Sequence, residues 1–300
     1  MAEAAIINPA FGSDLLPREI SEMIFEDART SSVVQQLARR VPLTGAGKAI
    51  PYISGTPAAS WVSEGGRKPV SDASIGTLTM DPKKLAVIVP FSEEYLSTDN
   101  VDLFDELRPT IAESFGEAFD RAALHGQSTP FSAYLAETTN VEVLGAGAST
   151  YVDLVNAMGK VVTAGYRVSA WAYSDLAEIR LLGDVDSEGR PILTTVGDAS
   201  FANRLVGRPA VRGEAVDNLN TTPVPDDRTL AFGGDWTKAA WGAVGEIEYD
   251  ISNQATLTLT DGSTLNLWQD NLVALRAEAY YGFQTRDVQA FVRVREDQAE

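Results

Sequence analysis

A single histidine, His125, serves the whole 300-residue chain, so any Ser-His-Asp triad or histidine metal site would have to be built on it. It sits beside Gly126 at the end of a helical pattern, where the plain reading is a helix C-terminal residue facing the dipole. The segment "TGAGKAI" pairs Gly47 with Lys48 but lacks the first glycine at phosphate-loop spacing and the Ser/Thr after the lysine. "GAGAST" ends in Thr150 where a dinucleotide fingerprint requires glycine, and both segments read as loops. The acids Glu93 and Glu94, or Asp184, Asp186 and Glu188, have the types for hydrolysis or a hard cation, with a solvated surface as the simpler reading. With no cysteine, thiolate catalysis, disulfides and cysteine-ligated zinc or iron–sulfur centres fall away together. No catalytic constellation emerges, no cofactor or metal site is expected, and the chain reads as no enzyme.

Other classes are narrowed by charge and hydropathy. The formal net charge is -18 and no Lys/Arg cluster exceeds a dipeptide, so sequence-specific nucleic-acid binding is not expected and the acidity reads as a solubilising surface. The N-terminal "MAEAAIINPAFGSD" has neither a basic start nor a long apolar run, which argues against secretion and membrane spanning. A hydrophobic content of 44% is enough for a sizeable core in one large domain or two smaller ones.

The elements that would position functional residues follow from periodicity. In "LLPREISEMIFEDARTSSVVQQLARRVPL", Pro17 suits a first helical turn, and Ile20, Ile24 and Phe25 share a face, predicting short helical pieces. Lys48–Val62 and Thr77–Phe91 predict two long strands, about 50 Å of arm at about 3.3 Å per residue. Such an arm projects from a body whose radius of gyration is about 19 Å. Pro51, Pro57, Pro82 and Pro90 place these strands at sheet edges. Between them "WVSEGGRKPVSDAS" sets Trp61 among glycines and polar residues, where leaving the indole in water forfeits roughly 1.5–3 kcal/mol. Another subunit is the expected cover.

Downstream, Phe104, Leu107, Ile111, Phe115, Phe119 and Ala122 predict a long helix stopped by Gly126, with Pro109 marking a kink or its regular start. Residues 151–211 predict a mixed α/β region: a helix at "YVDLVNAMGKVVTAG", a strand at "RVSAWAYS", a helix at "SDLAEIRLLG", then an irregular stretch. Residues 218–228 read as a loop. "ATLTLTDGSTLNLW" is a hairpin turning at Asp261-Gly262, and the end of the chain is a helix or strand followed by a closing strand.

The order of these segments, from about Leu16 to about Val294, resembles the HK97-fold major capsid proteins of tailed bacteriophages. The resemblance rests on the "LLPREISEMIFEDARTSSVVQQLARRVPL" segment, the "WVSE" strand and polar tip, the "KKLAVIVPFSEEYL" return strand, and the acidic-faced helix ending "DRAALHG". It implies an α+β fold with an N-arm over 1–47, an E-loop hairpin over 48–94, a P-domain with a spine helix over 95–148 and 236–300, and an A-domain over 149–235. It further implies self-assembly as hexamers and pentamers into an icosahedral shell around double-stranded DNA, in a virion assembled in the host cytoplasm. Portal, separate scaffolding or decoration proteins would be the partners, with DNA packaged without sequence-specific contact and no membrane involved. The chain reaches the arm at once, so a cleaved N-terminal scaffolding region is not expected.

Within that resemblance Trp61, Glu64, Arg67 and Lys68 are the expected inter-subunit contacts, the two cations meeting carboxylates on a neighbouring long helix. Some family members link subunits through a lysine and an asparagine aided by a glutamate; Lys68, Asn271 and Glu278 have those types. Two other functions compete: an encapsulin-type nanocompartment shell with an enzyme cargo, and a soluble hydrolase working through acid pairs.

Overall fold

A computed structural model describes residues 31–53, 59–68, 70, 74–93, 100–145, 149–183, 193–194, 203–218, 228–259 and 261–296, with residues 100–108, 182, 193, 194, 203 and 246 described through their backbone alone. Pro17, Ile20, Ile24, Phe25, Pro57, Pro69, Glu94, Asp184, Asp186, Glu188, most of 218–228 and the side chains of Phe104 and Leu107 lie outside the described set.

The described chain enters through a short helix, α1 (Val33–Leu37), and strand β1 (Arg39–Arg40). Strands β2 (Lys48–Ile53) and β3 (Ile75–Met80) form a two-stranded antiparallel ribbon, and β4 (Lys83–Ser92) follows directly. The stretch Thr77–Phe91 is thus two strands in two sheets instead of one long strand. Residues 59–62 are not in a strand, and among the described residues the paired part of the arm is six residues long, about 20 Å. The break falls at Asp81-Pro82, where proline removes a ladder donor.

Helix α2 (Asn100–His125) comes next and passes through Pro109 rather than starting there. Its stop is local: Gly126 has φ +72°, and a Cβ on it would lie 2.6 Å from the Tyr134 ring, so only glycine fits. The α/β region contains β5 (Val141–Leu144), α3 (Thr150–Thr163), β6 (Ala170–Tyr173) and α4 (Asp175–Gly183). The stretch expected to be irregular carries three short strands, β7 (Leu193–Thr194), β8 (Asn203–Leu205) and β9 (Arg208–Arg212). Strand β10 (Thr229–Gly234), buried throughout, leads to the long β11 (Ala239–Ser252). The Asp261-Gly262 turn joins β12 (Thr256–Thr258) to β13 (Thr264–Asn266), as the alternation predicts. The terminal pattern resolves into strands β14 (Leu272–Thr285) and β15 (Phe291–Glu296).

Two sheets organise these elements. The first has the order β1-β11-β14-β4, with β4 and its Pro90 at the edge as the missing N–H requires. Helix α2 packs on it: Ile111, Phe115 and Phe119 are buried, and Phe119 meets Phe131, Trp241, Tyr281 and Phe283 with ring centroids 5.4–6.4 Å apart. Each such ring contributes about 1.5–3 kcal/mol through burial. The second sheet has the order β5-β15-β10-β6-β9-β8-β7. Leu154, Ala157 and Val161 of α3 and Ala177 and Leu181 of α4 share its core with Trp171 and Tyr173. The β2–β3 ribbon is rooted through Met80, which packs with Val41 and Leu43. Gly282 makes room for this root, since a Cβ there would lie 2.8 Å from Met80 Cγ and 2.9 Å from Leu43 Cδ2. Arg286 steadies the ribbon's far end, donating to Ile53 O at 2.8 Å and lying 4.8 Å over the Tyr52 ring.

Candidate inter-subunit contact surface

The two glycine-containing segments and His125 are occupied by structural work. Thr44 Oγ1 donates to Gly47 O at 2.9 Å in a turn, and Lys48 opens strand β2, whereas a phosphate-binding loop must run into a helix N-terminus. Thr150 does begin helix α3 after strand β5, but the buried Asp153 carboxylate already accepts the Gly145 N–H at 2.9 Å there, placing a negative charge where a phosphate would sit. His125 Nε2 lies 3.0 Å from Val216 O and its ring 5.4 Å from Phe232, tying α2 to the 214–216 turn. It acts as a neutral donor, not as a cation facing the dipole, because burial pulls its imidazole down to about 4, against the hydrogen bond to Val216. Among the described residues no group of three or more His, Asp or Glu side chains gathers as a metal site would. Among them, too, no helix is long and apolar enough to cross a membrane.

One buried acid was not visible as a site in the sequence. Asp120 lies beneath the N-terminus of α1 and accepts Ser32 Oγ at 2.6 Å, Val33 N at 2.7 Å and Val34 N at 3.1 Å. Ser32 in turn caps Gln35 N at 3.1 Å, so the free N–H groups of α1 are met by side chains. Room for this docking comes from the row Ala112, Gly116, Asp120, small residues at four-residue steps and all buried. Burial pushes the Asp120 carboxyl up to about 7, against the three hydrogen bonds that favour ionisation.

These two groups oppose one another in pH dependence. From about pH 4 to 6.5 the native state holds a proton on Asp120 and none on His125, while the unfolded chain does the reverse; the net proton difference from the pair is zero. D120N is expected to expose the histidine slope, stability rising with pH by about 1.4 kcal/mol per unit. H125Q is expected to expose the aspartate slope, stability falling by about the same amount per unit as pH rises toward 7. Urea midpoints at pH 4.5, 5.5 and 6.5 check this; parallel profiles for wild type and both variants would refute it.

What remains without a role inside the chain is the tip between β2 and β3. Residues 61–68 are all exposed, turning at Glu64-Gly65, where Gly65 takes φ +78° and Gly66 N donates to Ser63 O at 2.9 Å. Trp61 is 104% exposed, Val70 92% and Ile75 74%, with Ile53 and Val62 also open. A soluble monomer rarely leaves so concentrated an apolar group in water. Among the described residues Glu64, Arg67 and Lys68 make no ion pair. The four expected contact residues are therefore together on one outward segment.

Asn271 and Glu278 lie elsewhere, on or beside β14. Asn271 is exposed at φ +52°, just before the strand. Glu278 sits on the open face of the first sheet, 2.6 Å from Lys84 and 3.4 Å from Arg276, which also reaches Asp250 at 3.0 Å. The Lys84 hydrogen bond holds the Glu278 carboxyl below its ordinary range, keeping it ionised. The chain does not itself bring Lys68 to either residue.

Known proteins resemble this one along nearly its whole length. The phage capsid family matches residues 12–295. Identity is 33% over 289 residues with the probable major capsid protein gp17 of Mycobacterium phage D29, covering 92% of this chain and 88% of that one. A solved chain from Microbacterium phage Oxtober96 superposes with a TM-score of 0.69 at 21% identity, covering 89% of this chain and 91% of that one. The capsid of an empty GTA particle, computed with C5 symmetry, gives a TM-score of 0.62 at 16% identity, covering 89% and 90%. At those identities the structural likeness speaks for the fold, an α+β arrangement shared with phage capsid proteins. An end-to-end sequence match, a shared fold and an apolar tip that its own body leaves uncovered lead to one conclusion: the chain belongs to the phage capsid family.

Proposed function

We propose that this chain is a major capsid protein that assembles as hexamers and pentamers into an icosahedral shell around double-stranded phage DNA. The observation that carries the reading is the exposed tip, with Trp61 fully in water on a chain whose core is otherwise well filled. A relative named as a probable major capsid protein and a structural neighbour with fivefold symmetry support it. In this reading 1–47 is the N-arm, 48–94 the E-loop, 95–148 with 236–300 the P-domain around α2, and 149–235 the A-domain of an HK97-like subunit. Closed rings follow from one surface meeting a different surface on the next copy. A net charge of -18 fits a wall that encloses DNA without reading its sequence. Portal and scaffolding or decoration proteins complete the assembly in the host cytoplasm, and the chain has no enzymatic role.

Sedimentation and negative-stain microscopy of the purified protein test this: closed shells are expected, and a stable monomer at all concentrations would reject it. Nuclease-protected DNA in native particles distinguishes a virion from an encapsulin-type shell carrying protein cargo. R67E with K68E is expected to leave the subunit folded and lower shell yield about tenfold, by replacing attraction with like-charge repulsion against neighbouring carboxylates. Unchanged yield would remove these two residues from the contact.

The same assembly would offer Lys68 of one subunit to Asn271 of another. In an isopeptide link the lysine Nζ bonds to the asparagine Cγ, ammonia leaves, and the ionised Glu278 takes the lysine proton and returns it to the leaving group. Boiled particles are expected to run as a ladder that K68R abolishes if the link forms; a single monomer band rejects it.

A further inference from the structure

Asp261-Gly262 turns the β12–β13 hairpin, and it joins an acid to the one residue type that leaves its own amide nitrogen without a side-chain shield. No other aspartate and no asparagine of the chain precedes a glycine. Asp261, Gly262 and Ser263 are all exposed, so water reaches the side chain and the peptide bond alike. In that setting an aspartate can close on its own backbone. The Gly262 nitrogen attacks Asp261 Cγ and gives up its proton, a carboxyl oxygen leaves as water, and a cyclic succinimide remains. Water then opens the ring. Breaking the new Cγ–N bond restores aspartate, whereas breaking the original C–N bond leaves the main chain running through Cβ and Cγ, an isoaspartate. One water leaves and one enters, so the step needs no oxidant or reductant.

The turn works against this reaction at both reacting groups. Asp261 Oδ1 accepts Ser263 Oγ at 2.6 Å and Ser263 N at 2.9 Å, and these bonds hold the carboxyl below its ordinary range. An ionised carboxylate has no hydroxyl to release as water. The nucleophile is engaged as well, since Gly262 N donates to Leu259 O at 3.0 Å and ring closure must break that bond. We propose that Asp261 is a site of isoaspartate formation in this chain, and that Ser263 and the Leu259 carbonyl guard it while the hairpin is folded. What they protect is register. Isomerisation adds a methylene to the main chain at the apex, between Thr258 and its partner Thr264, and displaces the pairing of Leu257 with Leu265.

Ageing the full-length protein in heavy-oxygen water reads each ring opening, because every one leaves a solvent oxygen on residue 261, which peptide mass spectrometry detects. S263A, a change at an exposed position, is expected to take up label there about fivefold faster than wild type, the factor for one lost hydrogen bond. Wild type held unfolded in guanidinium chloride is expected to label about tenfold faster or more than the folded chain, since all three bonds are then gone. D261E, whose ring would need an extra atom, is expected to stay unlabelled. Equal rates for S263A and wild type would remove Ser263 as a guard. Equal rates for folded and unfolded wild type would overturn protection by the turn altogether, whether or not the variant folds. No label on residue 261 in the unfolded chain would overturn the site itself.

Discussion

Trp61→Ala is expected to leave the isolated subunit's urea midpoint unchanged and to raise the concentration needed for shell formation by roughly 30- to 150-fold. The first half follows from exposure: Trp61 is 104% exposed, so truncation removes no contact that holds the monomer together. The second follows from burial between copies, where covering the indole contributes about 2–3 kcal/mol per contact, each 1.4 kcal/mol being tenfold in affinity. In the proposed shell the contact repeats at every subunit, so the deficit recurs and assembly amplifies it. Light scattering against concentration measures the threshold. A variant that assembles at the wild-type concentration would show that the indole stays in water in the particle.

Asp120→Ala acts on the opposite property, the fold of the single chain, with an expected loss of about 3–5 kcal/mol in unfolding free energy. Removing the carboxylate deprives Ser32 Oγ, Val33 N and Val34 N of their acceptor at a buried position. Helix α1 has only five residues and cannot persist without its docking, to which Trp241 Nε1, donating to Gln35 O at 3.1 Å, also contributes. Asp120→Asn keeps one acceptor oxygen and should cost about half as much. Urea unfolding at pH 7 reads both numbers, and a loss below about 1 kcal/mol for the alanine variant would mean that α1 finds other partners. Against a typical total of about 5–15 kcal/mol, the alanine variant would stand near the edge of folding.

The two residues differ in how far the sequence announces them. Trp61 is legible because it lies among Gly65, Gly66 and charged neighbours, a setting in which no local element could cover an indole. Asp120 is not, since a lone acid flanking an apolar helical stripe looks like any solvated residue until α1 is laid over it. The split of Thr77–Phe91 has a related cause. Thr77–Phe91 alternates in part on both sides of Asp81-Pro82, yet β3 pairs with β2 and β4 pairs with β14, so one stretch serves two sheets.

By itself the sequence determined the long helix with its stop at Gly126, the α3–β6–α4 succession, the Asp261-Gly262 hairpin, the edge position of Pro90 and the family resemblance. All of these depend on spacing within a few turns or pleats, or on residue types that are simply present or missing. The tertiary structure alone decided the split of the arm, the burial of Asp120 and the neutral His125. Those depend on pairings such as Ser32 with Asp120, 88 residues apart, and Trp241 with Gln35, 206 apart, which the core selects only when the whole chain has packed. Local periodicity has no reach over such separations.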